Sequence, residues 1–311
     1  MPGDEAVVIT DAMDPRVGDF RSLNIPGYRK AVEAPGPFSS GFFIAEGWLT
    51  IERLLPSRYR TRAVLVASNR LDRLLETESW QRHHQRHGAD LLVVDPDLLN
   101  EIVGFAMHRG IVASADRGVA PLPAQVVGRS RQLIIAEGIN DAENLGALCR
   151  NAVALGADGL LLDPTTCDLF SRRAVRVSVG HALTLEAARA PIAETLGSLS
   201  TSGWFTVACT PAAGALTVAQ ARERLDTTGS GQPKVAIVVG AEGPGLTEST
   251  IEACSVAVRI PMARGIDSLN VRLQQRSCAT HSSASHRISR ASRAYVHPES
   301  ANRRSGRLGR R

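Results

Sequence analysis

Three clusters between residues 144 and 271 carry the residue types that grip a ligand. Asn144, Gly146 and Arg150 are spaced Asn-x-Gly-x-x-x-Arg. On a helix, the glycine admits a close backbone or ligand. Arg150 follows about one and a half turns beyond Asn144, with a planar fork suited to a phosphate or carboxylate. The second cluster, Gly240-Ala241-Glu242-Gly243-Pro244-Gly245, directly follows the apolar run Val235–Val239. Glycines at the carboxyl end of a parallel strand are where open α/β sheets hold ligands. The third, Ile260 to Val271, ends a strand and enters a loop whose Ser268 and Asn270 can hydrogen-bond a ligand. Singly, each has a plainer reading as a capped helix, a tight turn or cap residues. The glycine run lacks the Gly-Lys-Ser/Thr of a triphosphate loop and is not the dinucleotide fingerprint.

Other chemistries find less support. His83 and His87 have the i, i+4 spacing of two ligands on one helix face, but Arg82 and Arg86 would repel a cation and the zinc-protease pattern is absent. They are read as a solvated helix end closed by Gly88, and no metal site is expected. Cys149, Cys167, Cys209, Cys254 and Cys278 are odd in number and contain no C-x-x-C. That argues against a disulfide framework or a structural zinc and suits a reducing cytoplasm. No apolar run reaches the roughly 18 residues of a membrane span. Met1 to Val8 lacks the basic-then-apolar order of a secretory leader.

The elements that must position these clusters alternate. A helix is expected over Ala45–Leu55, ended by Pro56, with strands at Ala63–Ala67, Asp90–Val94 and Gly110–Ser114 and a helix bearing Leu98, Leu99, Ile102 and Val103. A second series has strands at Leu133–Ala136, Gly159–Leu162, Phe205–Cys209, Val235–Val239 and Ala257–Ile260. Between its first two strands, Asn140 or Asp141 caps a helix stopped by Gly156; another helix starts near Ser171. Short, continuously apolar strands between helices predict a parallel sheet covered on both faces. The 311 residues, 43% of them hydrophobic, suffice for two such units.

The net charge of +5 is unevenly placed. Arg272–Arg311 holds ten arginines and one acid, so residues 1–271 are net negative by four. A high isoelectric point therefore says nothing about the body of the protein. Two lysines against 34 arginines point to a GC-rich coding sequence.

In order and spacing, Asn144–Arg150, Val238–Leu246 and Ile260–Val271 resemble the three motifs of the SPOUT superfamily, specifically its SpoU/TrmH-type RNA ribose 2′-O-methyltransferases. Phe42–Gly47 and Gly104–Gly110 also resemble the L30-like RNA-binding module that precedes this catalytic domain. The resemblance implies an N-terminal arm (1–40), a small L30-like α/β sandwich (41–116), a linker (117–130), a SPOUT α/β domain with a C-terminal trefoil knot (131–271) and an atypical tail (272–311). It implies S-adenosylmethionine as cofactor, contacted by Gly240, Ile260, Leu269, Gly245 and Thr210. Structured RNA, rRNA above tRNA, would be the substrate of a cytoplasmic homodimer.

By the same resemblance Arg150 is the catalytic arginine, with Asn144, Glu242, Ser268 and Asn270 shaping the pocket. Glu242 would bond loop backbone or the Arg150 of a partner. A guanidinium holds its proton too firmly to serve as base, so Arg150 is read as a clamp on the phosphate beside the target ribose. Arg58, Arg60, Arg62, His108 and Arg109 are the RNA-binding candidates of the first unit.

The resemblance breaks after Val271, where an Ala-rich helix is expected and Arg-Leu-Gln-Gln-Arg-Ser stands instead. Restoring one base and reading the neighbouring frame gives Ala-Thr-Ala-Ala-Ala-Val, the start of such a helix. Residues 272–311 are therefore read as a frameshifted tail, disordered by composition. A basic RNA-binding arm is the rival reading. Loss of the helix would remove apolar surface from knot and dimer, leaving a non-catalytic RNA-binding protein as the alternative function.

Overall fold

The computed structural model describes residues 6–34, 41–212, 214–227 and 233–260. The segment 261–271 in which a knot is expected, with Ser268, Leu269 and Asn270, lies outside the described residues, as does the tail. The first unit runs β1 (Ala6–Ile9), α1 (Pro26–Glu33), β2 (Phe42–Glu46), α2 (Trp48–Leu54), β3 (Thr61–Ala67), α3 (Leu71–Leu75), α4 (Glu78–His87), β4 (Asp90–Val94), α5 (Pro96–Val103) and β5 (Ile111–Asp116). Its sheet has the order β1-β4-β3-β5-β2, with β1, β4 and β3 parallel and β5 antiparallel to both β3 and β2. Alternate residues serve opposite faces, as strand geometry requires. Phe43, Ala45, Val64, Val66, Leu91 and Val93 enter one core, and Phe42, Ile44, Ala63, Leu65, Leu92 and Val94 the other.

Three expectations change here. Ala45 and Glu46 are strand, paired with Ala113 and Val112, and the helix begins only at Trp48. The run Phe42–Glu46 is buried on both faces, and Gly47, at φ +91°, turns the chain where a side-chain-bearing residue would be strained. The described part of the expected N-terminal arm is built into the sheet: β1 pairs with β4, and Ile9, Val17 and Phe20 are buried in its core. His83, expected at a solvated helix end, is 4% exposed with Nδ1 2.8 Å from the Leu55 carbonyl. The side chain of His87 is outside the described set.

The second unit continues with α6 (Pro123–Arg129), β6 (Gln132–Glu137), α7 (Ala142–Ala154), β7 (Gly159–Leu162), α8 (Arg172–Val177), β8 (Glu186–Arg189), α9 (Ile192–Thr201), β9 (Trp204–Cys209), β10 (Leu216–Thr217), α10 (Val218–Asp226), β11 (Lys234–Gly240), α11 (Glu248–Ala253) and β12 (Val256–Arg259). All seven strands are parallel, in the order β10-β12-β9-β11-β6-β7-β8. Helix α7 covers one face through Leu145, Leu148 and Ala152, and α9 covers the other through Ile192, Leu196 and Leu199. The expected linker contains α6, whose Val126 is fully buried in this second core. No disulfide joins the four described cysteines, and burial pushes the Cys149 thiol up to about 12. Among the described residues no helix is long and apolar enough to cross a membrane.

The units share one core. Val175, Leu183 and Phe170 of the second pack into the first, Phe170 stacked on Phe43 and edge-on to Tyr59. Ion pairs Arg117–Asp168 (2.7 Å) and Arg172–Glu46 (3.2 Å) flank that contact.

Candidate active site

Strands β6, β9, β11 and β12 end at one edge of the second sheet. At the end of β11, a Cβ on Gly240 would collide with the backbone of Gly245, because the glycine-rich loop doubles back over the strand. The Gly245 amide donates to the Ala241 carbonyl at 3.0 Å, and φ +73° at Gly245 makes the reversal. This loop is pinned at two points. Asn144 Nδ2 donates to Glu242 Oε2 at 2.9 Å, so the first and second clusters meet in space. Beyond the loop, Glu137 accepts from the Thr247 amide (3.1 Å), Thr247 Oγ1 (2.9 Å) and Thr250 Oγ1 (2.8 Å). Glu242 thus meets Asn144 within its own chain, a contact the sequence reading did not anticipate.

Helix α7 starts at Asp141, whose carboxylate accepts the Glu143 amide. Asn144 is 5% exposed on the loop side. Gly146 faces α8: a Cβ there would stand 2.6 Å from the Ala174 carbonyl oxygen, so it serves helix packing. Arg150, one turn beyond Gly146 on that face, is exposed and makes neither ion pair nor hydrogen bond among the described residues.

What Arg150 faces is the junction between the units. The turn after α8 packs against α2, where a Cβ on Gly180 would stand 3.1 Å from Thr50 Cα. Val179, β-branched at φ +54°, is strained there, and Arg53 Nη1 holds its carbonyl at 2.8 Å. Next comes His181, whose Nδ1 is buried without a hydrogen-bond partner among the described residues. Burial first, then the positive charges of Arg53 and Arg150, hold its imidazole below the usual histidine range. Arg53, His181 and Arg150 form a junction that favours an anion.

Thr210 and Ile260 follow β9 and β12 at the same edge as Gly240, with the Thr210 amide bonded to the Val258 carbonyl at 3.0 Å. The five RNA candidates fall into two groups at opposite ends of β3 and β5. Arg58 bonds Tyr59 and the Leu185 carbonyl, Arg60 pairs with Asp116 (3.3 Å), and Arg62 with Asp19 (3.0 Å). His108 and Arg109, at the other end, are exposed. The sequence reading missed Glu137, Thr247, Thr250 and Asp163, which are polar anchors of the site loops. Asp163 accepts from the Gly138 amide, Thr165 and Thr166. Burial would raise its carboxyl, but these donors outweigh burial and hold it below the usual range. An acid ending each of two apolar strands was the available signal.

Comparison with known proteins places the chain in a family. The SpoU rRNA Methylase family matches residues 131–273. An uncharacterized tRNA/rRNA methyltransferase of Mycobacterium tuberculosis is 38% identical over 85% of this chain and 86% of its own length. The chain belongs to the SpoU family of RNA methyltransferases. A 23S rRNA (guanosine-2′-O-)-methyltransferase of Ralstonia nicotianae is 28% identical, covering 69% of this chain and 84% of its own. The fold is that of an AdoMet-bound rRNA methyltransferase from Sinorhizobium meliloti, with TM-score 0.68 and 21% identity over 89% of this chain and 97% of that one. Within the matched region, the described structure brings the first two sequence clusters into direct contact through Asn144 and Glu242.

Proposed function

We propose that this chain methylates the 2′-hydroxyl of a ribose in structured RNA, rRNA in particular, using S-adenosylmethionine. The observation that carries the proposal is the Asn144–Glu242 contact, which fixes the glycine-rich loop beside the helix that presents Arg150 to an anion-favouring junction. Family membership supplies methyl transfer to RNA as the reaction class. The Ralstonia relative, by its name, supports rRNA and the 2′-oxygen.

The cofactor fits the residues present. The ends of β9, β11 and β12 offer main-chain groups, the Thr210 hydroxyl and the half-buried Ile260. Arg259, the basic residue ending β12, is turned to the Ala215 carbonyl. Such a neutral, partly apolar donor set suits a purine nucleoside. Thr210, Gly240, Gly245 and Ile260, with Leu269, would hold it. When bound, S-adenosylmethionine supplies a methyl already activated on a sulfonium centre. Arg150 clamps the phosphate beside the target ribose, orienting the hydroxyl, and the hydroxyl proton leaves through that phosphate or a water. Asn144, Glu242, Ser268 and Asn270 shape the pocket. The first unit reads RNA as an L30-like module, and the enzyme works as a cytoplasmic homodimer.

One observation favours a second reading, a non-catalytic RNA-binding protein. The family match ends at residue 273, where the Arg-rich tail replaces the expected helix. We take the tail as the product of a one-base loss beside codon 271; resequencing that shows no restoring frame removes this explanation. Calorimetric titration of S-adenosylmethionine into the chain, and into a version restored to Ala-Thr-Ala-Ala-Ala-Val, decides between the readings. Binding by both supports the enzyme. Binding by the restored version alone selects the second reading, and binding by neither contradicts the first.

A further inference from the structure

The arginines of the first unit are mostly neutralised. Arg16, Arg29, Arg60, Arg62, Arg82 and Arg117 each pair with a carboxylate. Arg21 and Arg53 donate to backbone carbonyls, whereas Arg70, Arg73 and Arg109 are exposed and have no carboxylate partner among the described residues. They gather at one end of the sheet, around Trp48. The Arg73 guanidinium lies 4.2 Å from the centroid of the Trp48 ring. The indole Nε1 donates to the Arg109 carbonyl at 3.1 Å. The Arg109 side chain crosses the bare backbone of Gly47, where a Cβ would come within 2.7 Å of its Cδ. The stem of Arg70 lies on Gly110 in the same way, its Cγ 3.0 Å from where a Cβ would stand.

Three like charges held together by packing repel one another, and none of them is paired with a carboxylate among the described residues. The arrangement is organised before any ligand arrives, since a stacked guanidinium and two stems laid on glycines have little freedom left to lose. It also leads towards the junction described above. Helix α2 starts at Trp48 and carries Arg53 about one and a half turns on. Glu46, two residues before Trp48, pairs with Arg172 and Arg176 of α8, which packs on the helix bearing Arg150.

We propose that Arg70, Arg73 and Arg109, ordered by Trp48, form a preorganised cradle for the phosphates of the substrate RNA and lead its backbone along α2 to Arg53, His181 and Arg150. This rests on the RNA-methylation reading and moves the main RNA contact away from Arg58, Arg60 and Arg62, which are tied up in structural bonds at the far end of β3. Guanidinium forks match phosphate oxygens, and the outer face of a stacked guanidinium accepts an unpaired base.

Trp48 provides its own reporter. Trp80 and Trp204 are 1% and 3% exposed, whereas Trp48 is half-exposed. Titrating the full chain with a single-stranded oligouridylate of about twelve nucleotides is expected to change tryptophan emission, and the Trp48→Phe variant is expected to lose that change. Replacing Arg70, Arg73 and Arg109 together by Gln is expected to weaken binding about tenfold or more at low salt and to flatten the log–log salt dependence by about two. Arg16→Gln, which removes an exposed arginine paired with Asp14, is expected to leave both unchanged. An unaltered thermal midpoint shows that the triple variant folds, and each single Gln variant gives a second measure, with a slope change of about 0.7. Unchanged affinity and slope in the triple variant overturn the proposal. Equal affinity for heparin, with no preference for RNA, overturns it as an RNA site. Retained RNA affinity with intact methyl transfer in the triple variant defeats the cradle alone, whereas absent cofactor binding defeats the methylation reading.

Discussion

Where His181 sits favours its neutral form. Unfolded, its imidazole titrates near the ordinary histidine value; folded, burial and the charges of Arg53 and Arg150 depress it. A depressed pKa means the unfolded chain binds the proton more readily, so this contribution to stability is present above the unfolded value and is lost as pH falls through the folded one. Urea midpoints are therefore expected to drop between about pH 7 and pH 5, and less steeply in His181→Gln. Equal pH profiles for the two proteins would contradict the charge arrangement at the junction. The same crowding readies the site for an anion, since a phosphate there relieves repulsion that the empty fold carries. Arg150 was visible in the sequence as an arginine at a fixed spacing. His181 was not, because a lone histidine after a glycine has no pattern; its meaning comes from α2 and α7 converging on it.

At the level of elements, α7 and α8 approach closely because position 146 has no side chain. Gly146→Ala would press a methyl on the Ala174 carbonyl oxygen at 2.6 Å. Overpacking of this kind costs about 1–3 kcal/mol, read as a lower urea midpoint. A variant as stable as the parent would show that the helices can separate freely. Most strands were legible, because short, largely apolar runs of four or five residues such as Asp90–Val94 and Gly159–Leu162 admit few other structures inside a parallel sheet. What escaped were elements whose pairing is set at long range. β1 is strand because β4 lies beside it, and Ala45 and Glu46 are strand because β5 does. The site was legible in part for the same reason. The loop residues stood out by type, while the partners that hold them, Glu137 with Thr250 above all, come from elements over a hundred residues apart in sequence.

At the scale of the molecule, the two units are joined through a buried aromatic contact as well as ion pairs. Phe170 stacks on Phe43 with ring centroids 5.1 Å apart and meets Tyr59 at 5.4 Å. Half-buried, it contributes less than the roughly 3–5 kcal/mol of a fully buried phenylalanine. Phe170→Ala is expected to weaken docking enough that calorimetry resolves two thermal transitions where the parent shows one. One unchanged transition would show that the ion pairs suffice. Docking matters because the proposed RNA path crosses it, from Trp48 on the first unit to Arg150 on the second. The central claim is ribose methylation governed by Arg150, and the most direct test supplies methyl-labelled S-adenosylmethionine and an rRNA transcript to the chain and to its frame-restored form. The account predicts label at a linkage that resists alkaline hydrolysis, formed by at least one of the two, with Arg150→Ala slower by about a hundredfold. Label on a base, or transfer that Arg150→Ala leaves unchanged, would contradict it.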